Sequence, residues 1–133
     1  MKGERKIENS IASLAQAIHQ RNVEKGFCDR PLNVGELLML VVSELGEALE
    51  ADRNSNYSKI TESDKQAFSA QNHLDFETEF DARIKDTFED EIADAIIRLL
   101  GMSERLEIDI EWHVLQKMRY NEMRPVKHGS KRY

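Results

Sequence analysis

The apolar positions of the chain recur at helical spacing. In the first segment, about residues 4–24, Ile7, Ile11, Leu14, Ala15 and Ile18 share one face and polar residues fill the others. Lys25 to Pro31 breaks the pattern, because Gly26 is suited to end a helix and Pro31 prevents its simple continuation. A second helix is predicted from Asn33 to about Arg53. Asn33 is a good N-cap, with Glu36 completing a capping-box-like start. Its apolar set is Val34, Leu37, Leu38, Val41, Leu45, Ala48 and Leu49.

Residues 54–86 read as a polar, irregular insertion. A short helix over Ser63–Gln71, anchored by Phe68, is the only element suggested there. So long a connection in a small domain points to a functional or mobile segment. A third helix begins at Asp86 or Thr87 and runs to about Leu106. Phe88, Ile92, Ala95, Ile96, Leu99 and Met102 give it a clear period. A fourth starts behind Asp109 as N-cap, reaches about Met123 and is ended by Pro125. A basic tail, residues 124–133, follows. Four helices and no strand pattern predict an all-α, four-helix bundle, residues 1–133 forming one domain.

Composition narrows the chemistry. The chain has 133 residues, a formal net charge of −6 and 33% charged residues, so its overall field repels nucleic-acid polymers. A phosphate substrate would need a local basic patch or a bound cation. Cys28 is the sole cysteine, which excludes an intrachain disulfide and a cysteine zinc site. No apolar run approaches a membrane span, and the charged N-terminus is not followed by an apolar signal core. A soluble, cytoplasmic protein with no membrane partner is the expectation.

Two acidic pairs stand out. Glu44 and Glu47 lie three residues apart on the second helix, and Glu91 and Asp94 three apart on the third. At ~100° per residue, Glu44 falls beside the apolar stripe near Leu37 and Ala48, with Glu47 further round. Glu91 flanks the stripe of the third helix, with Asp94 beyond. Carboxylates at the edge of a core contact are costly to desolvate without charge compensation. Facing pairs would suit a hard divalent cation, Mg²⁺ or Mn²⁺. Solvated surface acids are the alternative, and Asp94 could pair with Arg98 at i,i+4. None of the four histidines follows a glutamate by three residues, which argues against a di-iron bundle.

Near the C-terminus Lys117, Tyr120, Asn121 and Arg124 share one helical face. Lys127, Lys131 and His128 extend the cationic character into the tail. These groups suit phosphate oxygens, or they simply complement a helix C-terminus.

Taken together, Ser43-Glu44-Leu45-Gly46-Glu47, Glu91-Ile92-Ala93-Asp94 and Lys117…Asn121…Arg124 resemble the MazG-like all-α nucleoside triphosphate pyrophosphohydrolases across about residues 33–131. The family pattern has a glutamate where Ser43 stands. The resemblance implies Mg²⁺-dependent hydrolysis of a nucleoside triphosphate to monophosphate and pyrophosphate. It makes Glu44, Glu47, Glu91 and Asp94 the metal ligands and Glu44 or Glu47 the group that orients or deprotonates water. Lys117, Tyr120, Asn121, Arg124, Lys127 and Lys131 become substrate-binding groups, with Lys25 and Phe27 candidates to approach the base or ribose. It further implies a homodimer or a dimer of dimers. The Ser43 departure leaves open a nucleotide-binding or regulatory module without efficient catalysis.

Overall fold

The computed structural model describes residues 10–125, which are helical, with no strand among them. There are six helices in this span: α1 (Ile11–Glu24), α2 (Val34–Arg53), α3 (Glu62–Ala70), α4 (His73–Arg83), α5 (Phe88–Arg105) and α6 (Ile110–Glu122). None is long and apolar enough to cross a membrane. The chain forms two compact units. One holds α1, the end of α5 from Leu100, and α6; the other is Leu32–Leu99.

Short polar side chains set where the helices begin. The Asn33 side chain accepts from the Glu36 backbone N–H at 3.0 Å, and Asp109 from that of Trp112 at 3.1 Å, at the two starts the sequence predicts. The first helix starts later than its periodicity suggests, because Ser10 caps it by accepting from Ser13 N at 3.1 Å. Ile7 lies outside the described residues. At the other end, Gly26 adopts φ +78°. Its N–H reaches Val23 O and that of Phe27 reaches Asn22 O, the paired bonds of a Schellman cap.

Residues 54–86 depart from the expected irregular insertion: α3 and α4 occupy most of them. Thr61 and Asp64 form a reciprocal capping box, and Asn72 caps α4 through Asp75 N. The two helices are clamped by Arg83, whose Nη1 and Nη2 donate to the two carboxylate oxygens of Asp64 at 3.1 and 3.0 Å. Phe68 does act as an anchor, meeting Phe76 edge-on at 6.1 Å between centroids, and Phe76 in turn touches Phe80 at 5.7 Å. The acidic residues between these aromatics hid the helical period of α4 from the sequence.

The end of α2 is tied to the start of α5. Asn56 Nδ2 donates to Asp86 O at 2.9 Å, Phe88 N to Asn56 O at 2.9 Å, and Ser58 N to Glu89 Oε2 at 2.9 Å. This tie, with the bond of Arg98 to Glu44 farther along, sets the two helices side by side with opposite chain direction. A residue nine before the end of α2 and one ten after the start of α5 stand at the same height, roughly 14 Å from the tie at 1.5 Å per residue. Those residues are Glu44 and Arg98.

The buried apolar side chains are mostly small: Val41, Ala48, Ala51 and Ala95 in one unit, Ala15 and Leu100 in the other. In the latter unit α1 and α6 are joined by Ala12 N, which donates to Glu111 Oε1 at 3.4 Å. That bond gives an acceptor to one of the donors a helix start leaves unpaired. Gly101 lets α1 approach, since a Cβ there would sit 3.0 Å from Asn22 Nδ2 and 3.1 Å from Ile18 Cγ2. Gly101→Val should therefore lower unfolding stability by about 1–3 kcal/mol through overpacking, read from urea denaturation followed by circular dichroism. An unchanged midpoint would show that the helices tolerate a wider spacing.

Candidate metal centre

The inward face of α2 reads Leu37, Val41, Glu44, Ala48, Ala51 at intervals of four, three, four and three. Val41, Ala48 and Ala51 are buried, so Glu44 occupies the middle of an apolar stripe. On α5 the equivalent run is Glu91, Asp94, Arg98, following the buried Thr87 that precedes the helix. Regular helix geometry thus places ionisable side chains where each helix would otherwise bury hydrophobes. The register of α2 against α5 then sets them opposite one another.

Carboxylate oxygens of Glu44, Glu91 and Asp94 lie within 4.8 Å of one another. Glu91 is only 6% exposed. The groups within hydrogen-bonding reach of its side chain are the carboxyls of Glu47 and Glu44. Desolvation, and then these like charges, push its carboxyl up from an ordinary 4.5 to about 7. Asp94 is also raised, first by burial and then by the charges of Asp90 and Glu44. Glu44 moves the other way, because the Arg98 guanidinium stabilises its anion: Arg98 Nε donates to Glu44 Oε1 at 2.8 Å.

Three of the four predicted acids therefore converge closely. Glu47 touches Glu44 and Glu91 from a more exposed position, outside the tight triad. The alternative pairing of Asp94 with Arg98 is not the one formed. Arg98 bonds to Glu44 on α2 and acts on Asp94 only through its charge. That partner is 54 residues away in the chain. Its trace in the sequence was the position of Arg98 on the Glu91–Asp94 face. A neighbouring cluster of Asp86, Asp90 and Glu91 also converges, and Asp90 Oδ2 there accepts from Asp86 N at 3.0 Å.

The donor set fits a hard divalent cation. It is all oxygen, one member is buried among like charges, and oxygens from two helices lie within 4.8 Å of one another. Glu44, Glu91 and Asp94 would hold the ion, with Glu47 at the rim.

Of the other predicted residues, Lys117, Tyr120 and Asn121 lie on α6 and Arg124 just beyond its C-cap, Met123. Lys117 Nζ sits 5.0 Å from the Tyr120 ring centroid and Arg124 Cζ 5.9 Å from it, so one ring gathers both cations. Asn121 lies on the same exposed face. Lys127, His128 and Lys131 lie outside the described residues. Lys25 is the C-cap of α1, and Phe27 is 65% exposed.

No protein-family model, no curated protein and no solved structure matches the chain.

The raised Glu91 carboxyl links stability to pH. Between its unfolded value near 4.5 and its folded value of about 7, the folded state holds a proton that the unfolded state releases. This group's contribution is therefore largest at low pH and is lost as pH rises through that window. In metal-free protein, the wild type should lose up to about 3 kcal/mol relative to Glu91→Gln between pH 4.5 and 7.5. Paired denaturation curves at the two pH values read this difference. Parallel pH profiles would show that Glu91 titrates normally.

Proposed function

We propose that this chain is a magnesium-dependent nucleoside triphosphate pyrophosphohydrolase that releases nucleoside monophosphate and pyrophosphate. The observation that carries this reading is the Glu91 carboxylate, buried against the carboxyls of Glu47 and Glu44. A carboxylate buried among other acids is costly unless its charge is compensated, and a bound cation would compensate it. The resemblance to MazG-like enzymes supplies the reaction, since the converging acids are those of its motifs.

When bound, Mg²⁺ would neutralise phosphate charge and lower the pKa of a coordinated water. Glu47 is the better candidate to orient or deprotonate the attacking water. Glu44 is held as a weak base by Arg98, whereas Glu47 keeps access to solvent beside the triad. Lys117, Asn121 and Arg124 are the cations and amide this reading assigns to the nucleotide, with Tyr120 holding the two cations together. Lys127 and Lys131 are the tail cations of the same assignment.

Assembly of two or more copies is part of the proposal. Away from its buried stripe, α2 carries a second apolar face: Leu38, Val42, Leu45 and Leu49 are each 45–52% exposed, and Met39 beside them 62%. On α5, Ile96, Ile97 and Leu99 are 41–50% exposed. At roughly 80–100 Å² apiece the five on α2 alone offer on the order of 450 Å² of the ~800 Å² per partner of a standard interface. A helix apolar on two faces is expected to bury both.

A pyrophosphate-release screen over common and modified triphosphates, with Mg²⁺ and with Mn²⁺, tests the activity. Glu47→Gln and Asp94→Asn should each reduce turnover at least about a hundredfold while retaining helicity. Correctly folded protein with no turnover on any substrate would refute the enzyme reading.

Sedimentation equilibrium tests the assembly. Val42→Lys should shift the wild-type oligomer to monomer without loss of far-ultraviolet helical signal. A wild type that sediments as a monomer at tens of micromolar would remove this part of the proposal.

A further inference from the structure

The acid cluster on α2 and α5 carries a cation of its own. Arg98 Nε donates to Glu44 Oε1 at 2.8 Å, and Glu44 is one of the three carboxylates whose oxygens converge within 4.8 Å. The two partners differ in their surroundings. The Glu44 side chain is 12% exposed, held in the inward stripe of α2, whereas the Arg98 side chain is 41% exposed. The arginine is thus the end of the pair that can withdraw. Its long stem reaches water by rotation, while the Glu44 carboxylate is mostly covered where it stands.

A guanidinium stays charged at any pH the fold survives, so it compensates part of the cluster's negative charge whenever no other cation is there. A divalent ion held by Glu44, Glu91 and Asp94 would stand within a few ångströms of that guanidinium and repel it strongly. The same carboxylate cannot gain the full attraction of both. We propose that Arg98 is the resident counter-cation of the metal site, which yields Glu44 when a divalent ion binds and thereby sets the metal affinity. The proposal rests on the metal reading above and adds a competitor within the chain itself.

Calorimetric titration of the full chain with Mg²⁺ and with Mn²⁺ tests it on the wild type and on Arg98→Gln. The variant should bind metal on the order of tenfold more tightly, because the competing cation is gone. Its metal-free melting temperature should fall, and saturating Mg²⁺ should restore more of the loss than wild type gains from the same addition. In wild type, the Arg98 Nε–H resonance should leave its hydrogen-bonded position as Mg²⁺ saturates the site, a measurement that does not require the variant to fold. An affinity in Arg98→Gln equal to or weaker than that of a wild type that does bind would overturn the proposal and make Arg98 a positioning residue for Glu44. So would an unmoved Nε–H signal at saturation. If neither protein binds either metal, the metal centre itself is refuted, and the competition with it.

Discussion

A carboxylate buried among other carboxylates must be compensated, and Glu91 imposes that requirement on the contact between α2 and α5. Three agents can meet it. A proton does so by binding Glu91, whose carboxyl burial and like charges push up to about 7, and the Arg98 guanidinium does so by pairing with Glu44. A divalent cation would do so by drawing Glu44, Glu91 and Asp94 together. Each agent reduces the advantage of the others, because all three answer the same excess of negative charge. Proton affinity and the pairing of Arg98 are therefore coupled at this contact, and a bound divalent ion would join that coupling.

That property depends on register. Asn56 ties the last turn of α2 to the first residues of α5 through its side chain and its carbonyl, and the ties to Asp86 and Phe88 fix which side chains stand level. Sliding α5 by one turn would carry Arg98 about 5.4 Å from Glu44 and disperse the triad. The paired helices α3 and α4 fill the connection between the two tied ends. Their Arg83–Asp64 fork and aromatic contacts make that connection an ordered structural element.

The apolar content of the chain is distributed unusually for its size. Small side chains make up most of the interior, while leucine, isoleucine, valine and methionine on α2 and α5 remain half exposed. Such helices bury one stripe within the unit and present another outward. Gly46 lies on that outward side of α2, and a Cβ there would meet nothing within 4 Å. The outward side is thus open at Gly46.

Much of this was legible in the sequence. The apolar period located the four main helices, and Asn33, Gly26 and Asp109 marked their ends because capping is a local interaction between neighbours in the chain. The spacing of Glu44 with Glu47, and of Glu91 with Asp94, followed from helical geometry alone. Tertiary structure decided the remainder. It placed α4 within a stretch whose acidic residues masked two aromatic contacts. It separated Glu47 from the tight triad and paired Arg98 with Glu44 on another helix, not with Asp94 four residues away. Periodicity says which face a residue occupies. Which residue stands opposite is set by the hydrogen bonds that fix one helix against the next, and those join positions about thirty residues apart.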